Sequence, residues 1–340
     1  MSKQVTLLTG FLGAGKTTFL NAALKQKSST RFAIIENEFG EEDIDSELII
    51  KADDDLFSLN NGCLCCTLND NLYDLLNELY DKRDTFDELI IETTGIADPA
   101  GVAVPFMSDP SIAKTFDLKR VVCLVDAELV EDQLRDTTEA IKQISFSDVI
   151  LINKTDNVAP DYVQQIKTIL EGLNPFAKIL IGHKNAYPID EIFALERDQD
   201  FKNEPKKEAK AHTCSHDHKH DHTCAHDHDH KHDHHAHGDI VSLSFRFDEP
   251  FDLRELNHRL TVFLLFQAKD VYRVKGIVYS NEHSEKLIVQ SVGKSLAIEP
   301  GREWEPNEPK ISRIVFIGKL LKPAGFEKML RQCLSKPITA

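Results

Sequence analysis

The chain has 340 residues, which exceeds one small domain and predicts two. A formal net charge of −16 argues against nucleic acid as a partner, because a phosphate backbone is bound by Lys and Arg, and it suits a protein that attracts cations. No run reaches the roughly 18 apolar residues of a membrane span, and Gly10 soon interrupts the first apolar run, Val5–Leu8. We therefore expect no signal peptide and no membrane contact. Seven cysteines, three of them crowded together, indicate a reducing, cytoplasmic setting rather than a secreted disulfide framework.

The first 200 residues alternate short apolar runs with amphipathic stretches. Runs rich in Ile, Leu and Val that are joined by helices are typical of a mainly parallel sheet in an α/β fold. The predicted strands are Val5–Leu8, Phe32–Glu36, Glu88–Ile91, Arg120–Asp126, Val149–Asn153 and Lys178–Ile181. The predicted helices are Lys16–Lys27, Asn69–Tyr80 and Pro160–Leu173.

The composition changes near residue 200 and changes back near residue 239. Residues 206–238 are almost all His, Asp, Lys, Ala and Cys, with too little apolar surface to fold. We therefore predict a domain over 1–200, a disordered His-rich linker over 201–238 and a second domain over 239–340. The second domain is predicted as a smaller α+β unit, because its strands are closely spaced and its helices are few. Its strands are Ile240–Phe247, Asp270–Tyr279, Lys286–Val292 and Ile311–Ile317, and its helices are Asp252–Phe266 and Gly325–Cys333.

A glycine-rich segment between the first strand and the first helix matches the phosphate-loop pattern. Its glycines let backbone N–H groups turn toward phosphates, and the helix N-terminus favours an anion there. Lys16 would reach the β- and γ-phosphates, and the Thr17 hydroxyl would bind Mg²⁺. The alternative is a chance glycine turn. The predicted phosphate-binding residues are Gly10, Phe11, Leu12, Gly13, Ala14, Gly15, Lys16, Thr17 and Thr18.

An acidic residue ends the strand that runs toward Gly95. Glu92 would lie beside the phosphate loop and hold the Mg²⁺ shell, while the Gly95 N–H would sense the γ-phosphate. Glu stands here where many GTPases carry Asp. The alternative is a solvated strand end.

The segment Asn153-Lys154-Thr155-Asp156 follows the strand Val149–Asn153. Guanine presents an N1–H beside an exocyclic amine, and one carboxylate accepts both, whereas adenine has no such pair of donors. Asp156 is therefore predicted to select GTP and GDP, with Asn153 and Lys154 as its partners at the base site.

Three thiols lie within four residues at Cys63, Cys65 and Cys66, just before a predicted helix. Thiolates prefer zinc or Cu(I), and a helix N-terminus lowers their pKa. The alternatives are a redox pair or small buried core cysteines. Between Glu36 and Glu41, three carboxylates lie at a strand exit beside the phosphate loop, where they would complete a metal shell or reach Mg²⁺; a solvated switch loop is the alternative.

Twelve of the fifteen histidines fall in one tract between His212 and His237, interleaved with Asp. Imidazoles bind zinc, nickel, cobalt and copper at neutral pH, so the tract is predicted to bind metal loosely. The candidate ligands are His216, His218, His220, His222, His226, His228 and His230.

In this order, the segments GFLGAGKTT, IENEFGE, NGCLCC, IETTGIADP and NKTD resemble those of the CobW-type metal-handling GTPases. The likeness is to the YjiA-like bacterial members and to the zinc-regulated GTPase metalloprotein activators, and it covers the whole chain. It implies a P-loop GTPase domain followed by a small CobW C-terminal-type domain, and slow GTP hydrolysis linked to metal transfer. It also implies that Glu36, Glu41 and Cys65 match zinc-binding positions of YjiA-like members, and that Glu is the family residue at position 92.

Three functions are compatible with these patterns. The first is a GTP-driven chaperone that carries Zn²⁺ to a client metalloprotein, with Mg²⁺ and GTP or GDP at its nucleotide site. The second is a non-catalytic His-rich metal buffer, a function that does not explain the three nucleotide motifs. The third is an insertion factor for Co²⁺ or Ni²⁺, since imidazole suits all of these metals. A homodimer is a further expectation.

Overall fold

The computed structural model describes residues 2–36, 56–58, 64–195, 240–267 and 270–335. At Glu36, in 56–58, in 64–71 and at Gln267, only the backbone is described. In the described part of the chain, no helix is both long and apolar enough to cross a membrane.

The N-terminal unit is built on seven parallel strands. In chain order they are β1 (Lys3–Gly10), β2 (Phe32–Glu36), β3 (Leu56–Ser58), β4 (Glu88–Glu92), β5 (Phe116–Asp126), β6 (Val149–Asn153) and β7 (Lys178–Ile181). Their order across the sheet is β3-β2-β4-β1-β5-β6-β7. Because all strands run in one direction, every strand end that carries a predicted motif lies at the same, carboxyl edge.

Helices cover both faces of this sheet. They are α1 (Lys16–Gln26), α2 (Leu64–Asp81), α3 (Pro99–Ser108), α4 (Pro110–Thr115), α5 (Val130–Asp136), α6 (Thr138–Phe146), α7 (Pro160–Leu173) and α8 (Ile189–Phe193). Successive residues of β1 point to opposite faces, so Leu7 packs with α2 and α3 while Leu8 packs with α1 and α8. Burial on both faces explains why these strands read as continuous apolar runs.

The six predicted strands of this unit are confirmed, with two differences. The short edge strand β3 was not predicted. Helix α2 begins at Leu64 rather than at Asn69, so Cys65 and Cys66 lie within its first turn and the expectation that they precede the helix is wrong. Leucines spaced by four, at Leu64, Leu68 and Leu72, extend the helical pattern backward to this point.

The C-terminal unit is a five-stranded antiparallel sheet in the order β11-β10-β9-β12-β8. Its strands are β8 (Ile240–Phe247), β9 (Val271–Val278), β10 (Glu285–Val292), β11 (Ser295–Glu303) and β12 (Ser312–Lys319), and its helices are α9 (Leu253–Gln267) and α10 (Pro323–Arg331). Phenylalanines dominate its core, with the Phe316 and Phe326 rings 4.5 Å apart. This confirms the predicted α/β fold with a smaller α+β unit, although β11 was not predicted.

The two units share buried surface. Val292 of β10 lies in the same apolar cluster as Phe146 of α6, and Tyr272 packs against the cluster around β5 and β6. The linker 201–238 falls outside the described residues, and the limits 1–200 and 239–340 stay predictions.

Candidate functional site

The loop between β1 and α1 has the backbone that phosphate binding requires. Gly10 and Gly15 adopt φ values of +145° and +95°, which residues with a Cβ rarely adopt. A Cβ on Gly10 would lie 2.4 Å from the Leu124 carbonyl oxygen, so only glycine lets β1 meet β5 here. The N-terminus of α1 opens directly after Gly15, and its first backbone N–H groups have no partner within the helix. This is the geometry of an anion site.

Two side chains meet this loop. Asn153 donates its Nδ2 to the Ala14 carbonyl oxygen at 2.8 Å, so the predicted base motif also supports the phosphate loop. The Lys16 Nζ lies 3.0 Å from the Gly10 carbonyl oxygen and folds back over the loop. Thr17 is half-buried and Thr18 is exposed at the start of α1.

The end of β4 lies against the same loop. Glu92 pairs with Leu8 in the parallel register, and its side chain is 9% exposed. A Cβ on Gly95 would come within 2.6 Å of the Leu12 backbone nitrogen, which shows how closely this segment approaches the phosphate loop. Thr93 donates its hydroxyl to Thr9 at 3.0 Å. The predicted phosphate loop, Mg²⁺ carboxylate and γ-phosphate sensor are therefore neighbours.

These oxygens fit the ion that nucleotide phosphates carry. Mg²⁺ prefers oxygen ligands, and the candidates are the Thr17 hydroxyl at the start of α1 and the Glu92 carboxylate at the end of β4. The buried Thr94 hydroxyl has no hydrogen-bond partner among the described residues. A buried hydroxyl of this kind is one that a bound ligand or water would satisfy.

The base motif follows β6 in a tight turn. Lys154 adopts a left-handed conformation with φ 58°, and its Nζ lies 2.7 Å from Asp126 Oδ2. Asp156 is exposed in the following 3₁₀ turn, and the Thr155 hydroxyl donates to the Gly182 carbonyl oxygen at 3.3 Å. The turn therefore holds the Asp156 carboxylate in solvent, where it is free to meet a base.

Two features of this edge were missed from the sequence. Asp126, only 1% exposed, anchors Lys154, but in the sequence it looks like any solvated aspartate at the end of a strand. Tyr187 packs edge-on against Phe19 of α1 at 5.4 Å, and burial raises the pKa of its phenol. No local pattern pointed to Tyr187.

The predicted metal residues are placed only in part. In the sheet register Glu36 of β2 pairs with Glu92 on one side and with Ser58 on the other. From Ser58 the chain reaches Leu64 in six residues, which span at most about 22 Å. This limit restricts how far the first turn of α2, with Cys65 and Cys66, can lie from the carboxyl end of β3. Cys63, Glu41 and the seven candidate histidines lie outside the described residues.

Two other cysteines are described, and both are core residues. Burial raises the pKa of the Cys123 thiol to about 12 and that of Cys333 to about 11, which disfavours the thiolate that a metal requires. The residues that the structure describes form no group of three His, Cys, Asp or Glu side chains able to hold a metal. A thiolate site would therefore depend on the cysteines outside this set, which are Cys63, Cys65 and Cys66 and, in the His tract, Cys214 and Cys224.

Fold and site together define a class. A parallel sheet with a glycine-rich phosphate loop, an acidic strand end beside it and an Asn-Lys-Thr-Asp turn is a P-loop GTPase.

Comparison with known proteins narrows the class, and the chain belongs to the CobW family. Residues 4–181 match the family model "CobW/HypB/UreG, nucleotide-binding domain", and residues 240–334 match "Cobalamin synthesis protein cobW C-terminal domain". The resemblance predicted from the motifs is thereby confirmed.

Individual relatives agree with this assignment. The zinc chaperone YjiA of Escherichia coli (strain K12) is 31% identical over 318 residues, covering 92% of this chain and 93% of the relative. The zinc-regulated GTPase metalloprotein activator 1 of Schizosaccharomyces pombe is 33% identical over 186 residues, covering 52% of this chain and 44% of the relative. The crystal structure of the Zn(II)-bound YjiA GTPase from E. coli matches with a TM-score of 0.68 and 25% identity, covering 98% of this chain and all (100%) of that chain.

Proposed function

We propose that this protein is a GTP-hydrolysing zinc chaperone, which binds Zn²⁺ near its nucleotide site and passes it to a client metalloprotein. The observation that carries the proposal is the direct pairing of Glu36 with Glu92 in the sheet register. One residue belongs to the predicted metal set and the other to the predicted Mg²⁺ shell, so the cargo site and the nucleotide site adjoin. Two relatives, named a zinc chaperone and a zinc-regulated GTPase metalloprotein activator, agree with this cargo.

In the nucleotide site the chain's own residues bind and orient GTP. The loop from Gly10 to Thr18 cradles the phosphates, and Lys16 leaves its Gly10 contact to neutralise charge on the β- and γ-phosphates. Thr17 and Glu92 hold Mg²⁺, which when bound neutralises phosphate charge. Asp156 accepts the two guanine donors, while Asp126 keeps the adjacent Lys154 in place.

Zinc is the cargo, and its proposed ligands are soft thiolates with carboxylates beside them. Cys63, Cys65 and Cys66 supply the thiolates, and the family resemblance adds Glu36 and Glu41. The His tract holds further ions loosely and raises the local metal concentration. Co²⁺ and Ni²⁺ are the alternative cargoes. Imidazole binds all three metals, and the thiolates favour zinc only mildly.

The adjoining sites imply coupling. Glu36 of the proposed zinc set pairs with Glu92 of the proposed Mg²⁺ shell in the sheet register, so a change in that shell on GTP binding would reach a zinc ligand. By linkage, zinc then changes the affinity for GTP relative to GDP by the same factor. Hydrolysis would release the metal to the client.

The test compares zinc affinity in two nucleotide states. A variant lacking residues 206–238 removes loose His sites, and its zinc Kd is measured with Mg²⁺ and either a non-hydrolysable GTP analogue or GDP. We expect the two Kd values to differ by at least about fivefold. Equal Kd values would reject the coupled chaperone even if zinc binds tightly.

A matched pair of substitutions locates the site. Cys63→Ser, Cys65→Ser and Cys66→Ser together should remove tight zinc binding, because a serine hydroxyl stays protonated at neutral pH. Cys123→Ser and Cys333→Ser together should leave zinc affinity unchanged, since both thiols are buried core groups. Repeating the titration with Co²⁺ and Ni²⁺ decides the cargo.

A further inference from the structure

Helix α6 lies between the loop at Gly95 and the C-terminal sheet, and contacts both. Gln143, in the middle of α6, is 1% exposed. Its Nε2 donates to the Gly95 carbonyl oxygen at 3.0 Å and to the Ala97 carbonyl oxygen at 3.2 Å. A neutral amide nitrogen carries two hydrogens, so both are used on this one loop.

The C-terminal end of α6 is held by the other unit. The last carbonyl oxygens of a helix lack partners within it, and that of Phe146 accepts from Arg273 Nη1 at 2.6 Å. The Arg273 guanidinium also lies over the Phe146 ring, 4.3 Å from its centroid. Arg273 belongs to β9 and is 2% exposed, so a C-terminal-domain residue completes a helix of the GTPase domain.

A second cation strengthens this junction. Lys275 of β9 places its Nζ 3.2 Å from Asp148 Oδ1, and Arg273 lies 3.6 Å from the same oxygen. Asp148 immediately precedes β6, whose last residue is Asn153. We call the contacts of Arg273 and Lys275 with Phe146 and Asp148 the junction. It adjoins α6, which contacts the Gly95 loop, and β6, which leads to the base turn.

Burial makes the junction sensitive to small movements. Side chains of Arg273, Lys275 and Asp148 are at most 4% exposed, and removing such charges from water is costly unless their geometry is met. Gln143 and Phe146 are one helical turn apart, so a shift of the Gly95 loop moves the helix end as well.

We propose that α6 couples the Gly95 loop to the C-terminal domain, with Gln143 as the positioning residue at one end and Arg273 at the other. The proposal rests on the γ-phosphate role proposed above for Gly95. Gln143 holds the carbonyl groups of Gly95 and Ala97, directly after the sensing N–H, and Arg273 holds the helix that carries Gln143. A client that favours one arrangement of β9 would thereby change the preference of the protein for GTP over GDP.

The experiment measures nucleotide affinity in zinc-free buffer with Mg²⁺, on the full chain. For Arg273→Met and for Gln143→Met, we expect the Kd of a non-hydrolysable GTP analogue to rise at least about fivefold while the Kd of GDP stays within about twofold. Arg273→Lys should restore part of the preference, because an ammonium still reaches a carbonyl oxygen. The double variant should lose no more affinity for the GTP analogue than the more strongly affected single variant, because both residues act through one helix.

Arg246→Met is the matched control, since Arg246 is exposed in β8 of the same sheet. Wild-type affinities in the two folded single variants, or additive losses in the double variant, would overturn the proposal. If the variants do not fold, the test is amide hydrogen exchange of residues 271–278 in the wild type, with the GTP analogue and with GDP. The proposal expects their protection to differ between the two states. Equal protection in both states rejects the coupling. Because zinc is absent throughout, a negative result here leaves the chaperone proposal to its own test.

Discussion

The two edges of the parallel sheet carry similar polar residues for opposite purposes. At the amino edge, Arg120 and Glu88 form a pair at 2.8 Å that is 2% and 11% exposed. The same guanidinium also donates to Thr6, at 3.1 Å, and to the Leu195 carbonyl oxygen, at 3.1 Å. Burial raises the pKa of the Glu88 carboxyl, and the Arg120 charge acts against that shift.

At the carboxyl edge, only one partner of the Lys154–Asp126 ion pair is buried. Asp126 is 1% exposed while the Lys154 side chain is 37% exposed. At the same edge Asp156 is exposed and Thr17 is half-buried. Buried polar groups that bond to one another therefore stabilise the sheet. Polar groups that are fixed by a buried partner but keep a solvent-exposed side are placed to contact a ligand. Four substitutions sharpen this contrast, in order of decreasing effect.

The largest effect is expected for Lys16→Ala. Loss of the cation at the β- and γ-phosphates should lower the rate of GTP hydrolysis about 1,000-fold and leave the fold intact. The measurement is single-turnover hydrolysis together with a thermal melt. Lys25→Ala, in the last turn of the same helix, is the control and should keep wild-type turnover. A Lys16→Ala variant with wild-type turnover would disprove the nucleotide assignment.

The next effect concerns the base. Asp156→Ala removes an acceptor of two guanine donors and should reduce the preference for GTP over ATP about 100-fold. A competition assay measures it, with Asp161→Ala at the exposed start of α7 as the control. Unchanged discrimination would show that another group reads the base.

At the amino edge the expected effect is on stability instead. Arg120→Met leaves Glu88 buried without its cation and should lower the free energy of unfolding by about 3 kcal/mol. Urea unfolding measures this, and Arg135→Met, at an exposed position of α5, should change little. GTP-over-ATP discrimination should stay at the wild-type value in the folded Arg120→Met protein. A loss of discrimination would contradict the division between the two edges.

The smallest effect is expected for an exposed pair at the same amino edge. Asp87, just before β4, pairs with Arg31 at 2.7 Å, and hydrogen bonds from Arg31 lower the pKa of Asp87 from 3.8 to about 2. Because the folded pKa is the lower one, the stabilisation is present above pH 3.8 and is lost as the pH falls toward 2. Both side chains are about half exposed, so Asp87→Asn should cost less than about 1 kcal/mol at neutral pH.

The pH dependence of that cost is the check. Urea midpoints of the wild type and of Asp87→Asn should converge between pH 3.8 and pH 2. Asp136→Asn, at the exposed end of α5, is the control and should show no such convergence. A constant difference between the midpoints across this range would mean that the Asp87 charge is not the cause.

The sequence by itself determined the features whose signal is contiguous. The apolar runs predicted six of the seven parallel strands, and the phosphate loop and the Asn-Lys-Thr-Asp turn lie where their motifs indicated. Such motifs work because the backbone conformation they need is set by neighbouring residues, as with Gly10 and Gly15. The edge strand β3 was missed because three residues carry too little pattern. The early start of α2 was missed although the spacing of its leucines extends back to Leu64.

Only the tertiary structure decided which distant groups meet. The Gln143 amide bonds to Gly95, 48 residues away in the sequence, and Arg273 bonds to Phe146, 127 residues away. Nothing in the local sequence distinguishes Gln143 from an exposed glutamine, or Asp126 from a solvated strand end. The order of strands across the sheet also places Glu36 beside Glu92. Residue type limits what a side chain can donate or accept, but its partner is set by which strands and helices pack together, and that depends on the whole chain.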